Sequence, residues 1–369
     1  MGHCHSRRRG VGCLDQITVH EKPPLRVYKD TMVPDLAPQD DRPRFALGSV
    51  CAEGESAKMV KTLVMTKRSL KIWKRLACAL GVSLLCSAVQ AAADTLSVAM
   101  GEGRFEFTHG PKTINVWTYR PPQANPDTPI LLVMHGTERD AERYRDQWVP
   151  HARDRGFIVV VPEFSRQAFP GSSYILGGTR EGPGAARPNA QEAFGLMEPL
   201  FEEVRTATQN RHPKFNLYGH SAGAQFVHRF LYFEPAARVG KAVAANAGWW
   251  TLPDLSVAFP YGLQSSGVGP EALKAVLQRP LVILLGTADT NPNDSDLRQT
   301  PQAVAQGPHR LARGQYFYEH SQRQAAAWGI PLGWTLATAP GVSHSNAGMA
   351  KFAVELLYGP PSSSPPRQP

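Results

Sequence analysis

The pentapeptide Gly219-His220-Ser221-Ala222-Gly223 lies between two segments of different character, and no other stretch restricts the possible folds as much. Before it, Phe215–Tyr218 reads as a short buried strand; after it, Ala224–Tyr232 reads as a helix. A turn this tight brings the strand and helix backbones close together. Small residues are therefore needed on either side of the serine, and Gly219 and Gly223 supply them. The turn lifts the Ser221 hydroxyl out of the sheet and aims the Ala222 N–H at the space beside it.

The surrounding pattern fits such a turn. From Asp94 onward, β-rich runs alternate with helical stretches, the signature of a mostly parallel sheet covered on both faces. The strands expected are Ile114–Tyr119, Ile130–His135, Phe157–Val161, Phe215–Tyr218, Lys241–Ala245, Leu281–Leu285 and Trp334–Ala337. Helices are expected near 138–154, 190–209, 222–233, 271–278, 308–328 and 346–358. The fold class is α/β, with about eight strands and helices on both faces in one domain spanning 94–358. Two long irregular segments, Glu163–Asn189 and Trp249–Pro270, leave the C-terminal ends of strands, where open α/β sheets place their sites. Residues 359–369 form a Pro/Ser-rich tail, expected to be disordered.

The net charge of +9 invites a nucleic-acid reading, but its distribution excludes one. Residues 1–93 carry 15 Lys/Arg against 8 Asp/Glu, and the rest of the chain carries 25 against 23. The body is nearly neutral and has no basic stripe interleaved with aromatics. The basic part reads as a leader: Lys67, Arg68, Lys71, Lys74 and Arg75 precede the apolar run Leu76–Val89, and small residues follow at Ala91–Ala93. At about 14 residues that run is too short for a bilayer span, so residues 59–93 are expected to be a signal peptide, cleaved near Ala91–Ala93 for release to the periplasm or the medium. No stable membrane anchor is expected, and bulky Leu85 before Cys86 does not suit lipid attachment. Residues 1–58 read as a non-native or disordered extension, with Met59 or Met65 as the natural start. All five cysteines precede the cleavage site, so a mature body beginning near Asp94 has no disulfides and no thiol chemistry. His3-Cys4-His5 falls in the same removed segment and reads as incidental rather than as a metal site.

A serine nucleophile needs a base, the base needs an orienting acid, and a developing oxyanion needs two donors. Downstream of Ser221 stand His228, His309, His320 and His344. His344 occupies the glycine-bearing loop Gly341–Asn346 between the last strand and the last helix and is the preferred base. His228 sits inside the helix after the elbow, and His309 and His320 fall on a helix where surface or packing roles suffice. For the acid, Asp289 follows the buried strand Leu281–Gly286, a strand-end position from which a carboxylate can reach the next loop. Asp294 and Asp296 compete in the same loop, which also reads as a solvated turn or a weak calcium loop, and Asp254 is more remote. The oxyanion donors are assigned to the N–H groups of Ala222 and Thr137, the latter in His135-Gly136-Thr137 after the strand Ile130–Met134. His135 and His220 read as packing residues. Of Trp249 and Trp250, one is expected to wall a substrate pocket and the other to join the core; Tyr174 and Tyr261, on the two long loops, are further candidates for substrate contact.

With these residues in place, the body from about 110 to 358 resembles the secreted polyhydroxybutyrate depolymerase / feruloyl esterase group of the α/β-hydrolase superfamily. Leu132–Gly136, Gly219–Gly223, Gly286–Asp289 and Gly341–His344 carry the resemblance. It implies a serine esterase working through a Ser–His–Asp triad and an acyl-enzyme, without a cofactor or metal. The implied partner is an ester substrate, polymeric or oligomeric; no oligomeric state is implied. Thr137 stands where the group usually has cysteine, and no polymer-binding domain is appended, which favours soluble or amorphous polymer, oligomers or small esters. The rival readings are an amide-bond hydrolase (a peptidase or a polyamide or poly(amino acid) depolymerase), a feruloyl-type or small-ester esterase and, in a different class, a catalytically silent binding module.

Overall fold

The computed structural model describes residues 98–170, 173–178 and 192–360. The leader, its cleavage site, the five cysteines, much of Glu163–Asn189 and the tail beyond residue 360 lie outside the described residues.

Eight strands form one sheet: β1 (Gly101–His109), β2 (Lys112–Arg120), β3 (Ile130–Met134), β4 (Ile158–Pro162), β5 (Phe215–His220), β6 (Val239–Ala245), β7 (Leu281–Gly286) and β8 (Trp334–Ala339). Their spatial order is β1-β2-β4-β3-β5-β6-β7-β8. The β1–β2 and β2–β4 pairs are antiparallel, and every pair from β4 to β8 is parallel. The helices are α1 (Ala141–Arg155), α2 (Met197–Thr208), α3 (Ala222–Phe233), α4 (Pro270–Leu277), α5 (Pro301–Ala305), α6 (Arg310–Ala327) and α7 (Asn346–Tyr358).

Each central strand is apolar on both sides because the sheet is covered twice. In β3, Ile130, Leu132 and Met134 face one core together with α2, α3, α4 and α6. Leu131 and Val133 face the other, with α1 and α7. All five residues of β3 are buried. Helix α3 is buried along its whole length, so it runs through the core rather than across its surface. Parallel pairing brings the C-terminal ends of β3, β5, β6, β7 and β8 to one edge of the sheet, where the elbow and the loops bearing Thr137, Asp289 and His344 begin.

Three details correct the sequence expectations. Strand β1 was not expected, because Gly-Glu-Gly-Arg at its start gives an edge strand little apolar signal; Phe107 is its one buried side chain. The helix expected over 190–209 spans only Met197–Thr208. The short helix α5 interrupts the loop after β7. No helix among the described residues is long and apolar enough to cross a membrane.

Candidate active site

Ser221 has φ 58° and ψ −116°, a conformation that side-chain-bearing residues rarely hold and that the surrounding packing must enforce. Both flanking glycines are required by close approach. A Cβ on Gly219 would lie 2.2 Å from the Gly223 carbonyl oxygen, and a Cβ on Gly223 would lie 2.0 Å from that of Met134. Ala222 opens α3, so its N–H belongs to the first helical turn and has no intrahelical acceptor.

Three side chains from separate loops meet here. His344 Nε2 lies 3.0 Å from Ser221 Oγ, and His344 Nδ1 lies 2.7 Å from Asp289 Oδ2. Asp289 is only 3% exposed, so its preferred state requires partners. With Nδ1–H donated to Asp289, Nε2 is left to accept the serine proton. The loops are tied directly: the Ala288 N–H donates to Val342 O, the Gly341 N–H to Thr287 Oγ1, and Asn246 accepts from the Gly286 N–H while donating to Ser343 O. Asn246 thus joins the strand end that leads to Asp289 with the loop that carries His344.

The competing residues stand elsewhere. Asp294 is engaged with Arg310, whose hydrogen bond holds its carboxyl below the usual range. Asp254 faces His320 at 3.3 Å. Asp296 is exposed and lines the cleft without reaching His344 by hydrogen bond. His228 is buried, and its Nε2 accepts from the Thr251 N–H; His309 caps α6. No cluster of three or more His, Cys, Asp or Glu side chains gathers among the described residues as a metal would need.

The loop Gly136–Thr137, after β3, is braced from below. His135 is fully buried, its Nε2 accepting from the Phe164 N–H at 3.0 Å and its Nδ1 within 3.1 Å of Gly136 O. Burial pushes its pKa down to about 3, which keeps the ring neutral and preserves both bonds. Thr137, half-buried, lines the cavities on both sides of Ser221.

Tyr174 needs correction as a substrate contact. It is 0% exposed, its ring packs on His135 and Phe164, and its hydroxyl donates to His135 O at 2.9 Å. It supports the loop that begins at His135 and has no surface to offer a ligand. Removing the hydroxyl in Tyr174→Phe is expected to cost about 1 kcal/mol, by leaving a buried carbonyl short of a partner; chemical denaturation would measure it. His220, read from the sequence as a packing residue, is buried beside the site. Its ring centroid is 4.5 Å from that of His344, and its Nδ1 meets the Tyr144 hydroxyl at 3.1 Å. Burial, reinforced by the nearby His344 and Arg310, keeps it neutral.

The two tryptophans, both candidates for substrate contact, are both buried, at 2% and 0% exposure. Trp250 is core, stacked on Phe317. Trp249 walls the cleft and carries the Arg298 guanidinium over its ring at 4.7 Å. Tyr261 is buried too, with its ring beside Trp249. Ser221 sits between two hollows. One, of about 280 Å³, includes His344, Tyr144, Gln147 and Asn346. The other, of about 180 Å³, includes Ala222, Gln225, Trp249, Arg298 and Arg310. Sequence reasoning passed over Asn246, Tyr144, Arg298 and Arg310. Only Asn246 carried a local signal, as the first residue of Asn246-Ala247-Gly248 at a strand end.

Two solved structures are similar along most of their length. Poly(aspartic acid) hydrolase-1 from Sphingomonas sp. KT-1 is 44% identical, with 71% of this chain and 100% of that chain covered and a TM-score of 0.69. LpqC, a poly(3-hydroxybutyrate) depolymerase from Bordetella parapertussis, is 35% identical, with 70% and 91% covered and a TM-score of 0.67. No family model matches the chain, and no curated relative matches it. The chain belongs to the α/β-hydrolase superfamily, in the polyhydroxybutyrate depolymerase-like esterase group. Its relatives in that fold are hydrolases.

Proposed function

We propose that this protein is a serine hydrolase that cleaves the acyl–oxygen or acyl–nitrogen bonds joining the units of a polymer or its oligomers, carboxylic esters first, through an acyl-enzyme on Ser221. The hydrogen-bonded chain from Ser221 through His344 to Asp289 carries the reading. As the Ser221 hydroxyl attacks, its proton passes to His344 Nε2, and Asp289 stabilises the imidazolium. The Ala222 and Thr137 N–H groups receive the oxyanion. His344 then protonates the leaving group, and water repeats the sequence to release the acid. Export through a leader over residues 59–93 accompanies the reading and would deliver the enzyme to polymers too large to enter a cell. An amide bond is the second reading. The relative named for poly(aspartic acid) favours it, and triad chemistry serves both bonds.

A panel of short p-nitrophenyl esters, poly(3-hydroxybutyrate) and poly(aspartic acid) tests this. Ester turnover with shortening of a polymer is expected. Amide turnover without ester turnover would select the second reading, and no turnover of any of them would contradict both. Asp289→Asn is expected to lower kcat by about 10⁴-fold, because an amide at that position no longer holds the imidazole in the required tautomer. Steady-state kinetics on any accepted ester checks it.

A further inference from the structure

Gln147 lines the larger of the two hollows, and a chain of hydrogen bonds that starts in the core sets which end of its amide the hollow meets. Tyr218, on β5, is fully buried, and its hydroxyl donates to Asn346 Oδ1 at 2.9 Å. Asn346, the first residue of α7 and itself 5% exposed, donates in turn from Nδ2 to Gln147 Oε1 at 2.6 Å. The direction of this chain is fixed at its buried end. A phenol has one proton to give, and among the described residues Asn346 Oδ1 is what receives it. Turning the Asn346 amide round would set Nδ2 against the hydroxyl and strand that proton in the core. Asn346 therefore gives and Gln147 Oε1 receives. The Gln147 Nε2 group, with two N–H donors, is left to the hollow.

The other polar groups of that hollow are engaged or lie in water. Tyr144, one turn before Gln147 on α1, holds its hydroxyl against His220 Nδ1 at 3.1 Å. Ser345 Oγ accepts from the Gly348 N–H, and His344 Nε2 faces Ser221 Oγ. Arg143 is exposed and bonded to Asp140, and Glu138 and Asp296 are exposed as well. His344 must return its proton to the leaving group, so the leaving group occupies the hollow that His344 lines. Gln147 thus meets the part of the substrate that departs.

We infer that Gln147 is a specificity-determining residue on the leaving side, where its Nε2–H donors read a carbonyl oxygen on the first unit of the leaving chain. The inference rests on the hydrolase reading for the side on which the leaving group lies. The ligand class is a leaving alcohol or amine that itself carries an acyl link close to the scissile bond, as a simple alkanol does not. Ester and amide carbonyls both accept hydrogen bonds, so the subsite senses that the chain continues, whichever link joins it.

Two esters with the same acyl group test this: methyl 3-(butyryloxy)propanoate and 3-methoxypropyl butyrate. Their leaving alcohols differ in one position, a carbonyl in the first and a methylene in the second. The ratio of their kcat/KM values in the unaltered protein is the reference, and it absorbs the different intrinsic reactivity of the two alcohols. Gln147→Glu keeps an oxygen for the Asn346 bond but removes the donors, and is expected to lower the ratio by about tenfold. Gln147→Leu is expected to lower it by about fivefold. Tyr218→Phe, at a residue remote from the substrate, should lower it by about twofold or more, because the Asn346 amide is then free to turn. A purely structural role for Gln147 would slow both esters by the same factor and leave the ratio unmoved.

A second arm needs no turnover. In Ser221→Ala, the side-chain amide signals of Gln147, identified by their loss on adding Gln147→Glu, are followed by proton–nitrogen NMR as each ester is titrated in. A shift with the first ester and none with the second upholds the subsite even where the unaltered protein cleaves neither, and the hydrolase reading alone then falls. Turnover of both esters at a ratio that Gln147→Glu leaves unmoved overturns the subsite and leaves the hydrolase reading standing. Neither turnover nor a shift overturns both.

Discussion

Replacing Ser221 by alanine is expected to lower turnover of any accepted ester by at least about 10⁴-fold while leaving the fold intact. The size follows from the role proposed for the hydroxyl, as the atom that would form the acyl-enzyme; no other described hydroxyl is hydrogen-bonded to His344. Residual rate would come from the oxyanion donors and from binding alone. The fold should survive because alanine removes one oxygen from a residue that is 9% exposed, and the backbone bond from the Ser221 N–H to Ala245 O remains. Circular dichroism and a thermal melt beside the kinetics separate loss of chemistry from loss of structure. A variant that kept a tenth of the activity would remove Ser221 from the mechanism.

The second large effect falls on stability. Gly223→Ala is expected to destabilise the protein by several kcal/mol, with a fall in Tm of roughly 10 °C or more, or to leave it insoluble. The new methyl would meet Met134 O at 2.0 Å, Met134 C at 2.6 Å and His135 O at 2.9 Å. Those atoms are backbone at the end of β3, a strand with both faces packed, so they cannot move aside without disturbing the loop that carries Thr137. Gly269→Ala is the contrast. Nothing stands within 4 Å of the added Cβ and the backbone φ is −87°, so a change below about 1 kcal/mol is expected. Paired melts of the two variants would show whether close approach, rather than loss of any glycine, sets the cost.

Features written in a few consecutive residues were legible in the sequence. The elbow is local: a strand, a turn that only small residues allow, and a helix. The placing of Asp289 and His344 beside Ser221 follows from the loops they occupy, after the ends of β7 and β8, and the chain places such ends along one edge of a parallel sheet. What escaped was non-local. Tyr174 read as a loop aromatic, because nothing near it in sequence shows that it packs beneath His135, 39 residues away. Arg298 and Arg310 carried no local signal, because Trp249, Asp289 and Asp294 are brought to them only by the folded chain. Strand β1 escaped for a third reason, since one edge strand with one buried side chain leaves almost no apolar period to find.

The central claim is that Ser221, activated by His344, is the nucleophile. Reaction of the protein with a fluorophosphonate followed by mass spectrometry of its peptides tests this most directly. The account predicts one phosphonylated site, on the peptide containing Ser221, with labelling abolished in Ser221→Ala and strongly slowed in His344→Ala. A protein that stays unlabelled while folded, or an adduct on another residue that persists in Ser221→Ala, would contradict it.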